Sequence, residues 1–366
     1  MPDVTIIGAG PAGSVASILL ARRGWRVTLL EQHRFPRDKV CGECISAIGI
    51  DVLARLELAD EIAALKPARL RRSIFVAPGG QTAAFDLPRE MWGLPRNVLD
   101  ERLLAVARDA GATVHELHRC EHVAGGVCPL VRARDLQTNE SRHFSPHYVI
   151  VADGKGALGD VRPEVTGDFG LKAHFAAVDA PADAILLVGA RGHYVGIANV
   201  GAATWNVAMN VGQPRLRACA GDGDRVLELM QRENAALADM FRPARRVGDW
   251  LAAPLPRFDV ARKWPRRVIP VGNAAAALEP IGGEGMGLAM RSAELAAAAL
   301  DHVAECNAEP DVAALRRAYC SLWKTRARAS RATALAMSSP TFAELAVQAA
   351  SASDAVARLG MRWVGK

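Results

Sequence analysis

Asp3-Val-Thr-Ile-Ile-Gly8-Ala-Gly10-Pro-Ala-Gly13 opens the chain, followed by Ser14 to Gly24 and then Arg26-Val-Thr-Leu-Leu-Glu31. Asp3 to Ile7 is a short apolar run of strand type, and Ser14 to Gly24 is Ala/Leu-rich and predicts a helix. Arg26 to Leu30 predicts a second strand, ending on an acid. Each glycine has a separate physical task. Gly8 allows a tight turn, Gly10 lets a pyrophosphate approach the backbone, and Gly13 lets the helix pack closely on the sheet. Free N–H groups at the helix N-terminus face the phosphates. Glu31 lies 18 residues after Gly13, where a carboxylate at a strand tip holds ribose hydroxyls. A glycine-rich turn in another parallel α/β domain leaves that acid unexplained. The stretch therefore predicts a dinucleotide-binding α/β domain.

Working outward, 366 residues are more than one core usually serves, which predicts two lobes sharing one ligand. The formal charge is +6, mostly from scattered arginine, with a concentration between Arg316 and Arg331. No nucleic-acid module accompanies it, so the basic balance matches an anionic cofactor and a small-molecule substrate, with a weak membrane-surface contact as a further partner. Seven widely spread cysteines, an odd number, argue for a reducing, cytoplasmic compartment. The apolar N-terminus lacks a basic leader, so it reads as a cofactor turn. No uninterrupted run is long enough for a membrane helix.

The loop after Glu31, through Gln32 and Arg37 to Cys41-Gly42-Glu-Cys44, leaves the strand tip and should cross the cofactor. Cys41 and Cys44 admit four readings: a redox dithiol, half a metal site, a thiol lining the cofactor pocket, or filler. A second CxxC is missing, so no metal site is expected. Ile48 to Leu65 has helical period, and Pro78-Gly79-Gly80 between two apolar runs predicts a hairpin. Asn97 suits an N-cap, which puts Arg96 just before a helix that ends at Gly111. Runs at 112–117, 127–134 and 148–151 predict strands; the last ends in Asp153-Gly154, a carboxylate beside a turn at the ligand-binding edge. Residues 170 to 212 predict a mostly antiparallel sheet, Asp224 to Met240 one amphipathic helix, and Pro254, Pro256 and Pro265 a break. A strand from Arg267 then leads through Gly272-Asn273 to Pro280-Ile-Gly-Gly283-Glu284-Gly285-Met286-Gly and a helix from Leu288 to His302. Four crowded glycines at a helix start let a planar, electron-rich ring rest against backbone N–H groups. Val312 to Met337 predicts a long helix, and the tail from Pro340 has helical spacing.

Together, Gly8-x-Gly10-x-x-Gly13 with Glu31, Asp153-Gly154 and Gly272-Asn273-Ala-Ala resemble the FAD-dependent para-hydroxybenzoate hydroxylase group. Phe35-Pro-Arg-Asp-Lys-Val-Cys-Gly42 and Pro280 to Met286 resemble two segments of its geranylgeranyl reductase branch. The resemblance implies a Rossmann-like FAD-binding domain of the glutathione reductase type, a mostly antiparallel β-sheet substrate domain and C-terminal helices. Residues 1–70, 96–160 and 265–310 would form the first, 71–95 and 161–264 the second, and 311–366 the helices. It implies FAD contacts from Gly8, Gly10, Gly13, Glu31, Gln32, Arg37, Cys41, Gly42, Arg96, Asp153, Gly154, Asn273, Pro280, Gly283, Glu284, Gly285 and Met286, with NAD(P)H as a transient electron donor. Asn273 replaces the usual Asp, an uncharged group that still donates and accepts hydrogen bonds.

Gly192-His-Tyr-Val-Gly-Ile-Ala lacks the branch's Trp and Phe-Pro, which argues against a long isoprenoid substrate. The Trp-x-Trp-x-Ile-Pro run of flavin halogenases is absent as well. The expected function is therefore an NAD(P)H-dependent monooxygenase of a small aromatic or polyketide-like metabolite, with oxygen activated at the flavin C4a carbon. The alternative is a reductase of C=C bonds in a prenyl or lipid substrate. His193, Tyr194 and Cys41 are the catalytic candidates, with His174, Asn199 and Trp205 on neighbouring strands.

Overall fold

A computed structural model of the chain describes residues 2–154, 158, 165–256, 258–261, 264–306 and 309–352. Strand Asp3–Ile7 is apolar because both faces are covered, and it lies at the centre of a five-stranded parallel sheet. The order across it is Val268–Pro270, Tyr148–Val151, Asp3–Ile7, Arg26–Leu30, Thr113–His115. Since all five run the same way, Gly8, Glu31, Asp153 and Gly272 follow strand ends at one edge. Helices Pro11–Arg22, Arg96–Asp109 and Gly285–Cys306 share a core with one face of this sheet. A three-stranded antiparallel sheet, His118–Ala124, Leu130–Asp135 and Ser141–Phe144, covers the other.

An eight-stranded sheet forms the second layer. Its order is Arg245–Pro256, Val165–Ala176, Thr204–Gly212, His193–Asn199, Ala184–Ala190, Ala68–Val76, Thr82–Gly93, Cys44–Ile45. Only Ala184–Ala190 against Ala68–Val76 is parallel. Strand alternation gives the sheet two unlike faces. Leu171, Ala173, Phe175, Val195, Ile197, Val207 and Met209 join an apolar core with helix Gly223–Glu233. Lys172, His174, Tyr194, Asn206 and Asn210 alternate with them and point the other way. The α/β architecture is the expected one.

Several elements differ from the sequence expectation, each for a local reason. Residues 245–256 form a strand despite Pro254 and Pro256, because it is an edge strand where a missing N–H is tolerated. Asn234 splits the 224–240 helix: its backbone is extended and its side chain caps the next helix at Leu237. The 48–65 helix breaks at Glu57, whose φ is +62°. Pro95, not Asn97, precedes helix Arg96–Asp109, so Asn97 falls inside the first turn. The predicted helical tail extends over Pro340–Ala352, and residues 353–366 lie outside those described.

Gly8 adopts φ +97°, and a Cβ on Gly13 would lie 1.8 Å from the Gly8 carbonyl oxygen. Strand, turn and helix therefore close on each other with no room for a side chain. Gly13→Ala is expected to lower unfolding free energy by about 1–3 kcal/mol. Denaturant unfolding checks this, and an unchanged midpoint contradicts the close crossing.

Candidate active site

The glycine turn carries a cradle of charges. Glu31 is buried; its Oε2 accepts the Ala9 N–H at 2.9 Å and its Oε1 accepts the His33 N–H at 2.9 Å. The carboxylate thus ties the second strand tip to the turn after the first. Arg96 forms a bidentate pair with buried Asp100, Nε to Oδ1 at 2.8 Å and Nη2 to Oδ2 at 2.6 Å. Burial opposes the Arg96 charge, but the Asp100 carboxylate outweighs it and keeps the guanidinium protonated. Arg37 Nη1 is 3.2 Å from Asp100 Oδ2 without hydrogen-bond alignment, and its Nε has no hydrogen-bond partner among the described residues. A Cβ on Gly10 would lie 3.6 Å from Arg96 Nη2 and 3.9 Å from Arg37 Nη2, so both guanidiniums face the bare turn. A Cβ on Gly154 would lie 2.8 Å from Lys39 Nζ, which places Lys39 beside Asp153-Gly154.

Three cations, Arg37, Lys39 and Arg96, thus meet two carboxylates, Glu31 and Asp100. Lys39 keeps part of its surface in solvent, yet protein packs around its ammonium. Its pKa falls to about 8, through burial first and then Arg96 and Arg37, against the pull of Asp100 and Glu31. Clustered cations, unmatched guanidinium donors and a helix N-terminus fit an anion with several oxygens. The diphosphate of FAD has that chemistry.

The second part of the site is a seam between two loops. A Cβ on Gly283, whose φ is +65°, would lie 3.5 Å from Cys44 Cβ, and one on Gly287 would lie 2.2 Å from Ser46 Oγ. Around Gly42 and Gly285 an added Cβ would meet nothing within 4 Å, so the backbone there is open to a planar ring. Met286 and Glu284 are buried beside this opening, while Pro280, Gly285 and Asn273 are exposed. Cys41 Sγ accepts the Glu43 N–H at 3.3 Å and Cys44 Sγ donates to the Gly42 carbonyl at 3.3 Å. Neither thiol forms a disulfide, and Cys41 also faces the Arg96 guanidinium.

Each loop is fixed to the polar face of the eight-stranded sheet by a buried carboxylate. Glu43 accepts from Lys172 Nζ at 2.9 Å, the Arg96 N–H at 2.9 Å and His174 Nε2 at 2.6 Å. Burial raises its pKa, but the His174 hydrogen bond and the Lys172 charge prevail and hold it below the ordinary value. Glu279 Oε1 accepts from Tyr194 Oη at 3.1 Å and Asn210 Nδ2 at 2.9 Å, and Oε2 accepts from Arg331 Nη1 at 2.9 Å. Here burial prevails, and the Glu279 pKa stands above its ordinary value.

The structure brings Gly8, Gly10, Gly13, Glu31, Arg37, Arg96, Asp153 and Gly154 together at the parallel-sheet edge. It brings Cys41, Gly42, Gly283, Glu284, Gly285 and Met286 to the seam. Gln32 is exposed just beyond Glu31. His193 does not join them: its Nε2 is 3.0 Å from Arg215 Nη1 on the sheet's other face. Burial, then Arg215, lowers the His193 pKa to about 4. Tyr194 reaches the seam, but its hydroxyl is engaged by Glu279. Sequence reasoning missed Lys39, Glu43, Asp100, Asn210, Glu279 and Arg331. Of these, only Asp100 carried a readable signal, its i, i+4 spacing from Arg96.

A model of the FAD-binding-domain family matches residues 1–194. A kynurenine 3-monooxygenase of Stenotrophomonas maltophilia is 30% identical over 320 residues, which cover 78% of this chain and 69% of that one. The chain spans 63% to 72% of the length of the curated relatives it matches over 320 residues or more. The flavin-dependent halogenase CmlS superposes with a TM-score of 0.78 at 24% identity, covering 90% of this chain and 62% of that one. A geranylgeranyl bacteriochlorophyll reductase-like protein from Thermoplasma acidophilum gives 0.79 at 19% identity, covering 96% and 91%. These two structures share the fold.

Two outcomes are expected. Below about pH 8 Lys39 is charged and assists an anion; above it the ligand-free protein has lost that proton. FAD affinity should therefore fall as pH rises through about 8, and Lys39→Met should flatten the profile. Quenching of FAD fluorescence reads this, and a pH-independent wild-type Kd contradicts it. Glu43→Ala should destabilise the fold by about 3–5 kcal/mol by stranding buried Lys172, with partial recovery in Glu43→Ala/Lys172→Met. Equal losses in both variants, read by thermal unfolding, contradict the pairing.

Proposed function

This chain belongs to the FAD-binding-domain family of flavin-dependent oxidoreductases, and on that premise we propose that it is an NAD(P)H-dependent monooxygenase of a small aromatic or polyketide-like metabolite. The parallel-sheet part holds FAD and the antiparallel sheet contributes the substrate side. The observation that carries the reading is the seam, open only along the bare backbone of Gly42 and Gly285, facing a polar sheet surface. Oxygen chemistry at a reduced flavin needs water excluded, and the segments following the two carboxylate-anchored loops pack so tightly that no side chain fits at Gly287 beside Ser46. Asn206 donates from Nδ2 to the Cys41 carbonyl at 3.1 Å, while its buried Oδ1 has no hydrogen-bond partner among the described residues. A small substrate bearing an O–H or N–H fits that acceptor better than a hydrocarbon chain does. The similarity to a kynurenine 3-monooxygenase supports the same class of reaction.

When bound, FAD supplies the two-electron and oxygen chemistry. The chain's own residues do the rest. Arg37, Lys39 and Arg96 neutralise the diphosphate, and Glu31 orients the turn beneath it. Backbone N–H groups from Glu284 to Met286 would hold the ring edge, the Gly283 N–H being given to the Pro280 carbonyl. With its Nε2–H given to Glu43, His174 is left with Nδ1 as an acceptor for the proton of a substrate hydroxyl.

Substrate-stimulated NAD(P)H oxidation with one atom of labelled O2 entering the product is the expected result. His174→Gln should lower kcat by about 10²–10⁴-fold while FAD retention stays unchanged. Anaerobic saturation of a prenyl C=C bond, with no oxygen incorporated, would replace this reading by the reductase.

A further inference from the structure

The two C-terminal helices carry a surface that the flavin site does not use. Helix Val312–Met337 has six cations and no acidic residue; Arg331 is paired with Glu279 and Arg326 lies 3.5 Å from Glu284, while Arg316, Arg317, Lys324 and Arg328 are exposed. Its exposed positions include Arg317, Lys324, Arg328 and Leu335, spaced seven, four and seven apart, which is one helical face. Arg317 reaches Asp311 only at 3.8 Å with both side chains largely in water. Lys324 and Arg328 form no ion pair among the described residues. The cationic stripe runs into an apolar groove shared with helix Pro340–Ala352. There Leu335 is 55%, Phe342 65% and Leu345 56% exposed, the large apolar side chains an aqueous surface normally hides.

We propose that this face docks on an anionic lipid bilayer. Such a bilayer complements both the positive charge and the apolar chemistry of this face. Cations alongside an apolar strip are what a helix lying in the interface presents, with Leu and Phe entering the acyl boundary and Lys and Arg at the headgroups. The groove is built from Ala, Leu and Phe, with Ser339 its one hydrogen-bonding side chain. It therefore offers a soluble partner almost no polar pattern to recognise. Docking leaves the fold unaltered, because the opposite faces are already committed: Ala334, Met337, Ala343 and Val347 pack with Tyr194 and Ile281. A bilayer on the outer face thus lies one helix layer from the seam. The surface stands independently of which reaction the flavin performs.

The test is co-sedimentation of the full-chain holoprotein with vesicles of phosphatidylcholine alone and of phosphatidylcholine with phosphatidylglycerol. Binding is expected only to the anionic vesicles and should weaken with added salt. Each juxtamembrane cation contributes about fivefold to partition, so Lys324→Glu/Arg328→Glu should weaken binding by about 25-fold or more. Phe342→Ser/Leu345→Ser should weaken it as well, with far-UV dichroism and FAD content unchanged. Equal binding to both vesicles, none to either, or binding indifferent to both double variants overturns the proposal. So does self-association without vesicle binding that Phe342→Ser/Leu345→Ser abolishes, which assigns the face to a second copy of the chain.

Discussion

Two buried carboxylates hold the active region together. Glu43 and Glu279 lie on separate loops, some 240 residues apart in sequence, and each is removed from water. A buried carboxylate is tolerable only when its oxygens are matched by donors. The donors come from the polar face of the eight-stranded sheet: Lys172 and His174 for Glu43, Tyr194 and Asn210 for Glu279. Satisfying each charge therefore fixes a loop against the sheet. The site is made by the requirement to pair these two charges, and the glycines then let the loops close without side chains between them.

The cradle at the parallel-sheet edge follows a different logic. Its cations are incompletely matched: Arg96 is locked to Asp100, Arg37 keeps donors without hydrogen-bond partners among the described residues, and burial, then Arg96 and Arg37, lowers the Lys39 pKa to about 8. An arrangement that leaves positive charge unsatisfied is costly to folding unless an anion completes it. The protein is therefore strained electrostatically where the ligand binds and relaxed where the loops are anchored.

This division explains what could be read in the sequence. Local rules govern the glycine turn, so Gly8, Gly10, Gly13 and Glu31 were legible from spacing alone, as were the parallel strands. Pairings across the chain are not local. Glu43 gains its partners only when strand Val165–Ala176 passes beneath it, and Glu279 only when Arg331 arrives from a distant helix. His193 and Tyr194 are adjacent in sequence, yet strand alternation sends their side chains to opposite faces, which no single-residue chemistry reveals. Asn234 and Glu57 ended helices that periodicity carried through, because capping and a left-handed backbone overrode the apolar pattern.

The most direct measurement of the account is the cofactor content of the purified chain. Denaturing a weighed sample and identifying the released chromophore should give FAD in near-equal molar amount from a yellow protein. A colourless protein whose absorbance and fluorescence ignore added FAD would contradict the assignment of the cradle and seam to a flavin dinucleotide.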